Sequence, residues 1–286
     1  MRRWRGPSSP WMWYFALRRV KVPTEENVPM RVEHIYRYPV KGLTAEALEE
    51  VLLSPGECLP HDRRFALAQG DSPMDPAAPA WLPKRHFGCL AYNARLAALH
   101  SAFDPKTGTL AIRPPDGPTL QASTRTEAGR AEIAAFLTGF LGEEARGTPR
   151  FVEAPGHNFT DVAAKCVSII GLSSLHALAA KVGMPLDPLR FRANIYVSGA
   201  GPWAEFDLLG QEVLLGGARL RVFKRIVRCP ATEVNPDTAE RDAAPPKMAA
   251  RAFRPCRSGC SMPRCWRAAG SPWAMRWKPT QGDLLH

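Results

Sequence analysis

The sequence of 286 residues lacks several features of secreted and membrane-spanning proteins. Its interior holds only four cysteines, Cys58, Cys89, Cys166 and Cys229, which are too widely spaced to suggest a disulfide framework. The apolar run Trp11–Leu17 is too short to span a membrane, and no small-residue cleavage site follows it. We therefore expect a cytoplasmic protein without a membrane span. Attachment of the N-terminus to a membrane surface is the alternative.

Net charge is also missing from most of the chain. The formal charge of +11 comes from the two ends. Residues 1–29 hold six Lys or Arg against two Glu, and residues 247–286 hold eight against one acidic residue. Between them, residues 30–246 hold 24 basic and 24 acidic residues. A basic protein usually suggests a nucleic-acid partner, but both basic ends lack a hydrophobic pattern able to fold, so we expect none.

Common nucleotide and metal motifs are absent as well. Gly199-Ala200-Gly201 has neither a third glycine nor an opening helix, so it does not predict a dinucleotide site. Walker-type loops, HExxH and flavin, haem or iron–sulfur signatures are not found. Cys256, Cys260 and Cys265 lack a fourth ligand at matching spacing, which argues against zinc. We also expect residues 1–29 to be a disordered or non-native leader, with Met30 as the true start.

Residues 30–150 predict a mostly β domain. Short extended segments rich in strand-forming residues are expected at Arg31–Val40, Ala45–Leu53, Arg64–Ala68, Leu90–Leu99 and Thr109–Arg113. A helix follows, with Thr124 and Glu127 forming a capping box and Gly142 ending it. Its apolar face recurs at helical spacing in Ile133, Phe136, Leu137 and Phe140. The polar connector Phe151–Asp161 then predicts a domain boundary near residue 150.

Residues 151–253 predict a second domain that leads to a cysteine. A strand at Cys166–Ile170 is followed by a helix capped by Ser173, whose apolar face is Leu175, Leu178, Ala179 and Val182. The remaining expected elements are a strand at Phe191–Val197, a hairpin of Glu212–Leu215 and Arg219–Val222 across Gly216-Gly217, and a strand at Lys224–Arg228. The last strand ends immediately before Cys229.

Cys229 is the residue with the most promising chemistry. Arg225 and Arg228 precede it, and nearby positive charge favours a thiolate, which is the form needed for a nucleophile or a soft metal ligand. Pro230 holds the cysteine in an extended conformation. The alternative is a small buried hydrophobic residue at a strand end. Local chemistry alone leaves both interpretations open.

A wider pattern favours the functional interpretation. Five segments carry it: Tyr38-Pro39-Val40-Lys41-Gly42, Asp62-Arg63-Arg64-Phe65, Phe191-Arg192-Ala193-Asn194-Ile195, Arg228-Cys229-Pro230-Ala231-Thr232 and Asn235-Pro236-Asp237-Thr238. In this order they closely resemble the signatures of the MOSC family, whose members are similar to the C-terminal domain of molybdenum cofactor sulfurase. The resemblance covers roughly residues 30–253 and the two-domain, amidoxime-reducing type of the family.

The resemblance implies an α+β, mostly β fold. It comprises a β-barrel-like N-terminal MOSC domain at 30–150 and a MOSC β-barrel at 151–253, with the molybdenum cofactor, a molybdopterin, held between them. By family pattern Cys229 coordinates molybdenum, a sensible role for a thiolate. The positions matching cofactor-binding residues are Lys41, Arg63, Arg192, Asn194, Arg228 and Thr232. Arg64 could exchange roles with Arg63, and the sequence departs from the family at Gly42, often serine, and at Ala239, commonly glycine.

The activity implied is that of an oxidoreductase that reduces small N-hydroxylated compounds. Because the chain has no redox signature of its own beyond this site, its electrons must come from a separate reductase. The alternative is a non-catalytic module that binds or carries the cofactor or its sulfur. Pyridoxal phosphate binding is associated with the family through the sulfurase's separate desulfurase domain. No convincing Schiff-base lysine is found here.

The resemblance continues through Arg251-Ala252-Phe253 and then stops. A one-step change of reading frame between about Phe253 and Cys260 would explain the change to Arg, Cys, Trp and Pro. Read in the neighbouring frame, with GC-rich codons, the stretch from Cys260 onward resembles the family's closing strand, Gly-Gly turn and second strand. The sequence therefore predicts that residues 254–286 are a frameshifted, disordered tail and that the final strands are lost.

Overall fold

The computed structural model describes residues 30–75, 77–78 and 80–245, together with two strands at 261–268 and 273–276. The expected leader, residues 1–29, lies outside the described residues. Strands predominate over helices, which confirms the α+β, mostly β fold class. In the described part of the chain, no helix is long and apolar enough to cross a membrane.

The strands and helices follow one another along the chain with short connections. The strands are β1 Arg31–Arg37, β2 Glu46–Leu48, β3 Glu50–Leu53, β4 Phe65–Ala68, β5 His100–Asp104, β6 Thr109–Arg113, β7 Leu120–Ser123, β8 Arg150–Glu153, β9 Val167–Gly171, β10 Ile195–Ser198, β11 Glu212–Leu215, β12 Ala218–Val227, β13 Ser261–Ala268 and β14 Trp273–Arg276. The α-helices are α1 Glu127–Leu141 and α2 Leu172–Val182.

The largest sheet combines strands from both halves of the chain. Its order is β11-β12-β13-β9-β10-β1-β2, and only the β9–β10 pair among these is parallel. Strand β1 pairs with β10, placing Arg31 opposite Ser198. In the other direction, strand β8 at the start of the second half pairs with β4 of the first half, which places Phe65 opposite Glu153. Strand pairing thus crosses the boundary expected near residue 150 in both directions.

The first half has its own core beneath α1. Its most buried members are Phe65, Leu99, Leu110, Ile112, Ile133 and Leu141. The expected helix is confirmed, but its N-terminal cap lies two residues later than the capping box predicted. The Thr126 side chain accepts a hydrogen bond from the Gly129 N–H. Gly142 ends the helix, as expected, with a positive φ of 58°.

The second half also follows the expected order, with a different start for α2. This helix begins after Gly171 without a side-chain cap. The predicted cap, Ser173, lies inside the helix, where its hydroxyl donates to the Ala200 carbonyl at 2.8 Å. The expected hairpin is confirmed. Gly216 and Gly217 form its turn with φ of 55° and 85°, values that favour glycine.

Two segments expected to be extended are not. Within Leu90–Leu99 the chain forms a 3-10 helix, Ala94–Ala98, because Asn93 holds the preceding turn by accepting the Cys89 N–H at 3.3 Å. Within Phe191–Val197 the strand begins only at Ile195, since Arg192 adopts a left-handed conformation with φ 52°.

The tail departs most from expectation. Strand β13 lies between β12 and β9, and β14 pairs with β3. Ser261–Ala268 and Trp273–Arg276 thus form strands in the segment where the sequence predicts a disordered tail and the loss of the final strands. The edges of β12 and β9 can be paired by the backbone of any sequence able to extend. The remainder of 254–286 lies outside the described residues, and the frame change itself remains a prediction.

The expected barrels are not closed by hydrogen bonds between the described strands. The large sheet has β11 at one end and β2 at the other. Strand β2 spans only Glu46–Leu48, after which the chain leaves the sheet as β3 and pairs with β14. The described strands consequently form open sheets.

Candidate active site

All seven residues assigned from the sequence line one cleft. These are Lys41, Arg63, Arg192, Asn194, Arg228, Cys229 and Thr232. The cleft has a cavity volume of about 150 Å³ and receives residues from both halves of the chain. The structure therefore brings the seven predicted residues together, while their roles remain predictions.

Cys229 stands at the end of β12, where its thiol is partly exposed. Its backbone is extended, with φ −123° and ψ 169°, as expected for a residue before proline. The following residues form a 3-10 helix, Pro230–Glu233. The buried Thr232 hydroxyl donates to the Cys229 carbonyl at 3.0 Å. Thr232 thus stabilises the turn that presents the thiol.

The ring of Tyr38 supports two arginines of the cleft. The guanidinium carbons of Arg63 and Arg192 lie 4.4 and 4.3 Å from the ring centroid, which is cation–π distance. Both arginines have positive φ, 46° and 52°, an uncommon conformation for residues with a side chain. Burial raises the pKa of Tyr38 to about 12, although the two cations oppose the shift. Tyr38 therefore remains neutral beneath them.

The two arginines differ in their partners. Arg63 donates to both carboxylate oxygens of the buried Asp62, at 2.8 and 2.6 Å, and to the Arg192 carbonyl at 2.8 Å. The Arg192 guanidinium makes no hydrogen bond or ion pair with the described residues, and burial lowers its pKa. Arg192 is thus the cation most available to an anion in the cleft.

The ambiguity between Arg63 and Arg64 is resolved by their contacts. Arg64 pairs with Glu153 at 2.5 Å and contacts His61, both of which line a different depression. Arg63, and not Arg64, faces the cleft.

Another part of the cleft wall is a carboxylate that lies between two lysines. Asp161 accepts from Lys41 Nζ at 2.6 Å and from Lys84 Nζ at 3.1 Å. Burial opposes ionisation of Asp161, but the two ammonium groups outweigh it and hold its pKa well below the usual range. Burial likewise tends to lower the pKa of Lys84, yet the neighbouring Asp161 carboxylate raises it. Lys84 is therefore a cation in the same cleft as the Cys229 sulfur.

Most of the hydrogen-bonding groups of the Asn194 side chain bind residues of the large sheet. Its Nδ2 donates to the Tyr36 carbonyl at 3.1 Å, and its Oδ1 accepts from both the N–H and the hydroxyl of Ser168. One amide hydrogen is left for a ligand. The side chain consequently joins β1, β9 and β10 at the cleft wall, in addition to any binding role.

The sequence interpretation missed Lys84, Asp161 and Arg190. Lys84 begins a short 3-10 helix and Asp161 lies in a loop, both without a periodic pattern, so only a fold that joins distant segments reveals them. Arg190 is buried, donates to Asp242 at 2.8 Å, and has its Nε without a partner. The sequence feature that could have pointed to Arg190 is its position directly before the Phe-Arg-Ala-Asn segment.

The two departures from the family pattern differ in how well they suit the backbone. Gly42 has φ 89°, and a Cβ there would lie 3.1 Å from the Gly88 carbonyl oxygen, so serine does not fit this backbone. Ala239 has φ 59°, a conformation that glycine adopts with less strain. Glycine would therefore suit that turn better than alanine does.

The cleft is built for an anionic ligand more than for a bare metal ion. The described residues contain no group of three or more His, Cys, Asp or Glu side chains able to hold a metal. What the cleft offers is a partly exposed thiol, an unpaired guanidinium and several further cations. Such a set fits an anionic group that carries its own metal chelator and needs only one protein sulfur.

Comparison with protein families gives the class. Residues 29–145 match the MOSC N-terminal beta barrel domain, and residues 155–267 match the MOSC domain. The chain therefore belongs to the MOSC proteins that carry both domains. The second match extends past Phe253 and into β13.

The individual proteins that match the chain share limited sequence identity with it. The chain is 32% identical over 88 residues to mitochondrial amidoxime-reducing component 1 of Mus musculus, a match spanning 31% of this chain and 25% of the mouse protein. The crystal structure of the YUAD protein from Bacillus subtilis aligns over 86% of this chain and 93% of that one. Its 13% identity and TM-score of 0.34 are too low to support an argument.

Proposed function

We propose that this protein binds the molybdenum cofactor in the cleft and reduces small N-hydroxylated compounds with electrons from a separate reductase. The observation that carries the proposal is the meeting of the partly exposed Cys229 thiol and the unpaired Arg192 guanidinium in one cleft. The MOSC membership and the partial similarity to an amidoxime-reducing component support the same reading.

The side chains of the cleft suit the parts of such a cofactor. Cys229 would supply the thiolate ligand, and Lys84 would balance its negative charge. Arg192 and Arg228 offer guanidinium groups to a phosphate, for which planar donors are well matched. Arg63 is held by Asp62, so its part is to position Arg192 through the carbonyl that it binds.

The bound group would supply two-electron chemistry beside Cys229. Reduction of an N–OH group to N–H takes up two electrons and two protons and releases water. The protein's part is to orient the substrate and keep charges balanced. Lys84 Nζ carries a proton near the sulfur, and Asp161 fixes that ammonium group by accepting its hydrogen bond at 3.1 Å.

The test compares wild type with Cys229→Ala and a control, Cys58→Ala, whose thiol is buried in another depression. Molybdenum and pterin are measured in each purified protein. We expect Cys229→Ala to lose most of its molybdenum, whereas Cys58→Ala keeps it. An equal molybdenum content in Cys229→Ala and wild type would overturn the ligand assignment.

A second candidate is a non-catalytic carrier of the cofactor or its sulfur, favoured by the opening of the cleft around a partly exposed cysteine. Turnover of an amidoxime with a supplied reductase distinguishes the two. Cofactor binding without turnover would favour the carrier. In either role the protein is proposed to work in the cytoplasm, and the four free cysteines among the described residues are consistent with its reducing conditions.

A further inference from the structure

Strand β12 presents an unusually basic outer surface. Arg219, Arg221, Lys224 and Arg225 are all exposed, and the ten residues of the strand include no carboxylate. The hairpin partner β11 contributes one acidic residue, Glu212, which pairs with Arg219 at 3.5 Å. Charge along this strand is therefore one-sided although residues 30–246 are neutral as a whole.

The same hairpin exposes apolar side chains. Leu214 is 72% exposed, Val227 70% and Phe223 37%. Alternation along β12 directs Leu220 and Val222 into the core and leaves the residues between them outside. Apolar side chains bordered by cations are typical of surfaces that bind another macromolecule.

The position of the strand relates this surface to the cleft. Strand β12 ends at Val227, which lines the cleft together with Arg228 and Cys229. A partner that covers the Val227 end of the hairpin would thus reach the edge of the cleft. Since the proposed reaction receives its electrons from another protein, this is where such a donor would need to dock.

We propose that the hairpin surface formed by Leu214, Arg221, Phe223, Lys224 and Val227 docks the acidic face of a small electron-donor protein. This inference rests on the proposed function, because it concerns the delivery of electrons to the same site. Opposite charges steer a partner towards a surface and orient it, while the central apolar residues hold it. The excess of cations over the single carboxylate selects an acidic partner.

The probe is flavodoxin, a small acidic electron carrier, supplied in its reduced form. The test variant is Arg221→Glu with Lys224→Glu, at two exposed positions that make no ion pair with the described residues. The matched control is Lys106→Glu with Arg113→Glu, which makes the same charge change in the β5–β6 hairpin, away from the cleft. A further variant, Leu214→Ser, removes apolar surface without a change of charge.

The measurement is the second-order rate of flavodoxin oxidation by the molybdenum-loaded protein with an amidoxime. We expect the double reversal to lower this rate about tenfold or more at low salt. The difference should shrink at about 0.5 M salt because charges are then screened. Leu214→Ser should lower the rate at both salt concentrations, and the control should match wild type.

Turnover driven by reduced methyl viologen separates the two proposals, since a small donor needs no docking surface. If reduced methyl viologen does not drive turnover by wild type, the proposed function is rejected. Calorimetric measurement of oxidised flavodoxin binding would then test the docking surface independently. The docking proposal is overturned if flavodoxin neither reduces nor binds wild type, or if the double reversal behaves as wild type. Binding to phosphatidylglycerol vesicles through Arg221 and Lys224, without flavodoxin binding, would assign the surface to a membrane instead.

Discussion

Tyr38 supports the two arginines that the sequence pattern had assigned to the cofactor. The aromatic ring offers its negative face to Arg63 and Arg192, and Asp62 binds both the Tyr38 N–H and the Arg63 guanidinium. Only Arg63 therefore has its charge balanced by a carboxylate. The pair is asymmetric because one cation maintains the structure and the other remains free for a ligand.

The Asp161 carboxylate gives a prediction about pH. Its pKa is depressed in the folded protein by Lys41 and Lys84, against the effect of burial, so its interactions stabilise the fold above the unfolded-state pKa, about 3.9. This contribution is lost as the pH falls through the lower folded-state value. Asp161→Asn should thus be less stable than wild type near pH 7, and the gap should narrow below about pH 4.

Urea unfolding midpoints of wild type and Asp161→Asn across this pH range provide the measurement. Asp71→Asn, at an exposed ion pair with Arg146, is the control and should show a smaller gap. A gap for Asp161→Asn that widens towards acid pH would contradict the assignment.

At this scale the sequence predicted much of the site. The motif residues were singled out by the family resemblance, and all seven line the cleft. Lys84 and Asp161 could not be found in this way. Each is an ordinary charge in a segment without a periodic pattern, and their meeting depends on contacts between segments 77 residues apart.

Helix α1 contains two glycines with opposite environments. A Cβ on Gly129 would lie 2.1 Å from the Ser123 carbonyl oxygen, whereas a Cβ on Gly139 would have no heavy atom within 4 Å. Alanine normally stabilises a helix by up to about 1 kcal/mol over glycine. We expect Gly139→Ala to gain roughly that amount and Gly129→Ala to lose about 1–3 kcal/mol through the clash.

The free energy of unfolding of both variants, from urea titration, checks this prediction. Gly139→Ala also serves as the control for the general effect of alanine on the helix. Stabilisation by both substitutions would show that β7 does not approach the helix as closely as described.

Elements with a clear period were predicted well, and irregular ones were not. Helix α1 and the Gly216-Gly217 hairpin agree with expectation because amphipathic spacing and turn glycines are local signals. The segment Leu90–Leu99 is apolar enough to suggest a strand, but the Asn93 side chain favours a turn there. Strand β8 was read as part of a connector, since its pairing with β4 is a long-range contact.

For the molecule as a whole, the tail determines whether the largest sheet is continuous. Strand β13 joins β12 to β9, so a chain ending at Phe253 would leave both edges unpaired. The prediction concerns three forms of the protein: the chain as written, the chain ended after Phe253, and the chain with its reading frame restored between residues 253 and 260. The restored form should be the most soluble and retain the most molybdenum, and the shortened form the least.

Soluble yield and molybdenum per protein give the readout, and resequencing the gene across this segment tests the frame directly. Equal values for the written and restored forms would argue against a frame error. In that case β13 as written is an adequate strand for the position that it fills.

The exchange of strands between the two halves has a consequence for synthesis on the ribosome. Arg31 emerges early but pairs with Ser198, which is 167 residues later. Until β10 has been synthesised, β1 lacks this pairing partner, and the unpaired edge of β1 is exposed to other chains. Such long-range pairing is slow to form. The first half is therefore expected to depend on a chaperone, or on rapid completion of the chain, during the interval before β10 appears.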